Sequence, residues 1–352
     1  MSLPRRVLIG MAAATLALSA TACGSSGSKA SAGSGTSGGG GSTTVKLMVG
    51  GLDKQIYLPA MLTQRLGYFQ AAGLNVQLSD EPAGVDAENQ MLAGNVDGVV
   101  GFYDHNIDLQ AKGKQTESVV QLLQAPGEVE MVRTDEAGQI KSAADFKGRH
   151  LGVTGLGSST NFLTKALAVH AGVPVNQITS IPVEAGPTFI AAMQHHQIDA
   201  GMTTEPTITA LIQKHLAQPL IDMRTAQGAR QALGGTYPSS CLYLRTDWVS
   251  AHKDTVQKLV TAFVKTLKWI NTHSAAEIAG KMPTAYYSGV GLDAYVKALQ
   301  NEKGMYSPDG LMPADGPKTV LNVLSSFSPD VKGHQVDLSK TYTNAFVQQA
   351  GQ

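Results

Sequence analysis

Charge is scarce and evenly matched: Lys plus Arg and Asp plus Glu number 27 each in 352 residues, and only 15% of the chain is charged. That balance gives no electrostatic footprint for nucleic acid or anionic lipid. Cysteine is nearly absent, with Cys23 and Cys241 the two in the chain. Catalytic signatures are missing too: there is no Walker sequence, no Gly-x-Ser-x-Gly and no His-Glu-x-x-His. Gly155-Leu-Gly157 has the start of a dinucleotide loop, but Thr160 stands where the third glycine belongs. His195 and His196 are adjacent, so on a helix they point about 100° apart and chelate poorly. His105 and Asp108 have a ligand spacing that no further cluster completes. No metal, no cofactor and no catalysis are therefore expected.

What is present is organised around residues 152–161, Gly-Val-Thr-Gly-Leu-Gly-Ser-Ser-Thr-Asn. Leu151 to Val153 reads as a strand, and Gly155 and Gly157 turn the chain. Ser158, Ser159 and Thr160 then sit where a helix over about 161–171 begins, with Phe162, Leu163, Ala166, Leu167 and Val169 on its apolar side. Such a helix start points backbone N–H groups outward, where a guest can be held. Simple capping of the helix by Ser159 or Thr160 is the alternative.

The same plan occurs twice. Val49-Gly-Gly-Leu-Asp-Lys-Gln55 lines up with Val153-Thr-Gly-Leu-Gly-Ser-Ser159, and Met91-Leu-Ala-Gly-Asn-Val-Asp97 with Met193-Gln-His-His-Gln-Ile-Asp199. Pro82-Ala-Gly84 and Glu184-Ala-Gly186 fall between them. Two α/β lobes of similar plan are the economical explanation. In the first, strands are expected at 44–49, 74–78, 96–100 and 119–123, with helices at 59–70 and 86–93. Runs 129–133 and 240–245 read as paired apolar strands that form the two crossings between lobes. Helices at 254–272, 292–303 and 315–327 complete the chain, the first carrying Val256, Leu259, Val260, Phe263, Leu267 and Ile270 at helical spacing.

The first residues read as an export signal, with Arg5 and Arg6 ahead of an apolar segment (7–18) too short to span a bilayer. Ala20-Thr-Ala22 then precedes Cys23, which resembles a bacterial lipoprotein signal; the resemblance implies that Cys23 is acylated. An ordinary cleaved signal is the alternative. Residues 24–42 are almost wholly Gly, Ser, Ala and Thr, a composition that cannot order itself and serves as a tether. With Cys23 lipidated, Cys241 has no partner for a disulfide and reads as a free buried thiol. The expected divisions are signal 1–22, tether 23–43, a first lobe from 44–138 and 236–352, and a second from 139–235.

Asp145-Phe-Lys-Gly-Arg-His-Leu-Gly-Val-Thr-Gly-Leu-Gly-Ser-Ser-Thr-Asn161, Gly94-Asn-Val-Asp97, Gln197-Ile-Asp199, Thr204-Glu-Pro206 and Leu338-Ser-Lys-Thr-Tyr-Thr-Asn-Ala-Phe346 resemble the solute-binding lipoproteins of ABC importers. They are most similar to the nitrate, sulfonate, taurine and thiamine-pyrimidine-precursor branch, and the resemblance covers about residues 44–350. It implies an α/β, two-lobed, type II periplasmic-binding fold with two hinge crossings and a ligand cleft between lobes. It also implies a monomer, lipid-anchored at the extracytoplasmic face of the cell membrane. That monomer would deliver a small solute to a permease driven by a cytoplasmic ATPase.

Carried onto this chain, the family's binding loops offer Asp53, Gln55 and Tyr57, then Phe102, Tyr103 and Asp104. From the second lobe come Ser158, Ser159, Thr160 and Glu205, with Tyr237 before the return crossing. Hydroxyls and helix-start amides suit a sulfonate, nitrate or carboxylate; aromatic faces with Glu205 suit a flat nitrogen heterocycle. Lys54 is the one cation in these loops. Tyr57 and Phe102 also fit a core, Asp104 reads first as an N-cap, and Glu205 fits a surface cap. The rival functions are a pyrimidine-synthesis-like enzyme on the same fold, whose cysteine-rich patch two cysteines cannot supply, and a non-transport surface sensor or adhesin.

Overall fold

The computed structural model describes residues 42–351. The signal 1–22, Cys23 and the tether up to residue 41 lie outside the described residues. Among the described residues no helix is long and apolar enough to cross a membrane.

Among the described residues, ten strands form two five-stranded sheets. They are β1 Thr43–Val49, β2 Leu74–Asp80, β3 Gly98–Phe102, β4 Thr116–Gln121, β5 Glu128–Arg133, β6 His150–Val153, β7 Thr179–Pro182, β8 Ala200–Thr204, β9 Ala217–Asp222 and β10 Ser240–Arg245. The first sheet runs β2-β1-β3-β10-β4 and the second β7-β6-β8-β5-β9. In each, three parallel strands lead to one antiparallel strand, β10 or β5, which pairs on both sides.

The duplication extends to single bonds. The Asp97 carboxylate accepts from Lys46 N at 2.8 Å, and the Asp199 carboxylate accepts from His150 N at 2.9 Å. In each copy the aspartate thus ties the turn before the third strand to the first strand. Glu81 N donates to Val49 O, and Val183 N to Val153 O, the matched pairs one strand over.

Period-two alternation divides the first sheet between two cores. Val100, Phe102, Leu242 and Leu244 face the cluster that the helix Lys253–Thr272 covers, while Val99, Cys241 and Tyr243 face the other. That helix buries Val256, Leu259, Val260, Phe263, Leu267 and Ile270, as its spacing predicts, and Phe69 meets Phe263 edge-on at 5.4 Å. Cys241 is a free, buried thiol, and burial pushes its pKa up.

The reading of 129–133 and 240–245 as crossings is corrected. Both are strands, as their apolar runs predict, but they lie inside the sheets, and the chain crosses just before each, at 122–127 and 223–239. β5 consequently belongs to the second sheet, although a first lobe reaching 138 would include it. The two crossings are tied side by side: Ser239 N donates to Leu123 O, Leu122 N to Ser240 O, and the Gln121 amide to Leu123 O and Ser240 O.

Candidate functional site

The loops at the carboxyl ends of β1, β3, β6 and β8 meet across the seam between the lobes, where open α/β sheets take their guests. Three contacts join the lobes there, one of them through Val85 just after β2. Ser158 Oγ, in the loop after β6, accepts from Val85 N of the first lobe at 3.1 Å. Ser159 Oγ donates to Asp104 Oδ1 at 2.8 Å, and Gln55 N donates to Glu205 O at 3.1 Å. Gly155 permits the approach, because a Cβ there would lie 2.9 Å from Ala83 Cβ.

Asp104 is the centre of this seam. It opens the helix Asp104–Ala111 but is not its N-cap, since Tyr103 holds that position and no side chain caps the helix. The expectation of a capping role is corrected: the carboxylate instead receives Ser159 from the second lobe and Tyr237 from the return crossing, each at 2.8 Å. No cation pairs with it, so burial lifts its pKa to about 7 against the lowering effect of the two hydroxyls.

Other expected residues are placed differently. Thr160 Oγ1 turns inward, accepting from Thr154 N at 3.0 Å and sharing a 2.8 Å bond with Thr154 Oγ1, so it braces the glycine turn. Tyr103 faces away from Phe102 and bonds Thr341 in the second core cluster. Tyr57 and Phe102 are both buried and pack edge-on at 6.3 Å. Glu205 is not a surface group. It is buried, its Oε2 accepts from Thr209 N at 3.0 Å, and its Oε1 takes Arg224 Nη1 at 3.1 Å. Gln55 is fully buried, with its amide donating to Tyr295 O and its own carbonyl accepting from the Tyr306 hydroxyl. Asp53 and Lys54 border a crevice of about 120 Å³ whose far wall includes Gly186, Pro206 and Thr207.

Two charged groups at the seam, Glu128 and Glu302, escaped the sequence reading. Glu128 is the first residue of β5, and Glu302 ends the helix Leu292–Glu302; both are buried. Lys54 is buried with its ammonium on the carbonyls of Gly50 and Pro82. His105 is buried, with its Nδ1 3.1 Å from the Tyr243 hydroxyl and 3.3 Å from Glu88. Burial drives its pKa down to about 3 and that of Glu88 up to about 8, so this contact joins neutral groups rather than an ion pair. Among the described residues no group of His, Cys, Asp and Glu could hold a metal ion.

These raised carboxyls make stability depend on pH in a defined direction. Asp104 titrates at about 7, and Glu88 and Glu130 at about 8, in each case chiefly through burial. A carboxyl whose folded pKa exceeds its unfolded value stabilises the fold most below the unfolded value and loses that contribution as pH rises through the folded one. Denaturant unfolding at constant ionic strength is therefore expected to show greater stability at pH 5.5 than at pH 8.5, on the order of 1–2 kcal/mol per group.

Two mostly parallel lobes, two tied crossings and a seam of convergent loops define a periplasmic-binding fold. The chain belongs to the NMT1/THI5-like family, whose model matches residues 56–277. A protein of Bordetella bronchiseptica RB50 is 33% identical, with a TM-score of 0.84 over 88% of this chain and 97% of that one. The alkanesulfonate-binding protein SsuA of Xanthomonas axonopodis, bound to MOPS, is 17% identical with a TM-score of 0.68, over 86% of this chain and 98% of its own. The nitrate-binding protein NrtA of Synechocystis is 13% identical with a TM-score of 0.66, over 88% of each. No curated protein matches the chain.

Proposed function

We propose that the chain is the solute-binding component of an ABC importer. It closes its two lobes on one small organic solute and passes it, unchanged, to a membrane permease driven by a cytoplasmic ATPase. A lipid on Cys23 would hold the body at the extracytoplasmic face of the membrane, at the end of the glycine- and serine-rich tether. One observation carries this reading: Asp104 of the first lobe is bonded both to Ser159 of the second and to Tyr237 of the return crossing. Such a joint reports whether the lobes are together, and a solute that bridges the same loops would shift that balance by its differential contacts. Family kinship and the SsuA and NrtA likenesses support the same assignment. Lobe motions of this kind are the ordinary repertoire of the fold.

The test is chemical and genetic together. Protein purified without denaturation should release a stoichiometric small molecule on unfolding, identifiable by mass spectrometry. A strain lacking the gene should lose uptake of that molecule and recover it on complementation. Release of a molecule that the purified protein slowly converts would favour an enzyme instead. Unaltered uptake in the deleted strain would favour a surface sensor or adhesin.

A further inference from the structure

Among the described residues, the seam between the lobes holds several buried oxygens without a hydrogen-bond partner, the Thr204 and Tyr295 hydroxyls among them. Gln55 Oε1, Glu128 Oε2 and both carboxylate oxygens of Glu302 are buried and have no hydrogen-bond partner. These three residues are 0%, 2% and 0% exposed, so bulk water does not solvate them either. Leaving such groups unpaired is costly, most of all for a carboxylate.

The cations nearby are already committed. Lys54 has given two of its three donors to the Gly50 and Pro82 carbonyls, and its charge is shared among Asp53, Asp80, Glu128 and Glu184. Arg224 spends its guanidinium on Asp222 and Glu205. Asp104 accepts from the Ser159 and Tyr237 hydroxyls, and the His105 imidazole 3.9 Å away is uncharged. Glu128 lies within electrostatic reach of Asp104 and Lys54, and Glu302 within reach of Glu205 and Arg224. Gln55 links the two groups, because its backbone N–H meets Glu205, its carbonyl meets Tyr306, and its chain neighbours are Lys54 and Ile56.

We propose that this seam takes an organic cation bearing N–H donors, of the amine, amidine or guanidine class, and rejects sulfonate, nitrate and other anions. The inference rests on the solute-binding reading above and narrows it. Burial above all holds the Glu128 and Glu302 carboxyls well above the usual carboxylate range; an entering cation favours their ionised form, and they then supply its counter-charge. Gln55 Oε1 accepts a further N–H, and Tyr57 and Phe102 offer an apolar wall. An anion in the same place would face Asp104, Glu128 and Glu302, while Lys54 and Arg224, the nearby cations among the described residues, are already committed to other acceptors.

The full chain, stripped of solute by unfolding and refolding, is titrated with three fractions of a small-molecule extract of bacterial culture: cation-exchange-retained, anion-exchange-retained and unretained. EDTA is present throughout, and the unfolding midpoint is read. The cation-retained fraction should raise the midpoint. The Glu128→Gln/Glu302→Gln variant, whose amides keep the shape, should bind it about tenfold or more weakly. A rise with the anion-retained or unretained fraction alone overturns the solute class and leaves solute binding standing. No rise with any fraction overturns both readings. A cation-fraction effect undiminished in the double variant removes the site from these residues. A rise that appears only when EDTA is omitted assigns a metal ion and overturns the proposal.

Discussion

Replacing Asp104 with alanine is expected to weaken solute binding a hundredfold or more and to shift the solute-free lobes toward an open arrangement. The carboxylate accepts from Ser159 and Tyr237 at 2.8 Å each and is fully buried. Alanine leaves both hydroxyls without their acceptor, at a cost of about 1–3 kcal/mol apiece if they stay buried. Opening the seam lets water satisfy them, so much of that cost falls on the closed state. A closed state less populated by two decades lowers apparent affinity in the same proportion, about 2.7 kcal/mol. Asp104→Asn, which keeps one acceptor oxygen, should lie between. Calorimetry reads the affinity and small-angle scattering the lobe separation. Native affinity in Asp104→Ala, with the fold intact, would show that the joint plays no part in closure.

The second large effect is on folding. Gly152 and Gly201 are register partners in the parallel pair β6–β8, at the middle of the second sheet. A Cβ on Gly201 would lie 2.6 Å from Gly152 O and 2.8 Å from its Cα and N. Those atoms are backbone in an interior strand and cannot swing aside, so the strands must separate and their ladder bonds lengthen. Gly201→Ala is expected to cost about 3–5 kcal/mol and lower the melting temperature by about 10 °C or more. Gly94→Ala is the control. Its positive φ of 78° is strained for alanine, but no atom lies within 4 Å of the added carbon. A loss of only about 1 kcal/mol is expected there.

The sequence conveyed the fold more fully than the seam, for reasons visible in particular residues. The repeat was legible because Asp97 and Asp199 do one job in two places, tying a turn to a neighbouring strand. The helix Lys253–Thr272 was legible because one of its faces is covered and the other is wet. β5 was not. Its Glu-Val-Glu-Met-Val-Arg pattern looks half exposed, yet every residue is buried, because the strand sits inside its sheet with β8 and β9 on either side. Glu128 and Glu130 were therefore invisible as buried acids. Glu302 was hidden similarly, at the end of a helix whose polar residues otherwise suggest solvent. Asp104 was named, but its role was misread because a side chain at a helix start reads as a local cap, and only tertiary geometry brings Ser159 and Tyr237 to it.

The two linking segments, stitched to each other from Gln121 to Ser240, behave as the spine of a book. Under the proposed closure, covers joined along one spine are expected to swing about that spine rather than slide or twist separately. Every gauge of gape, whether a pair of dyes on the rims, a scattering radius or the exchange of the Val85 amide proton, should then trace one common curve as cargo is added.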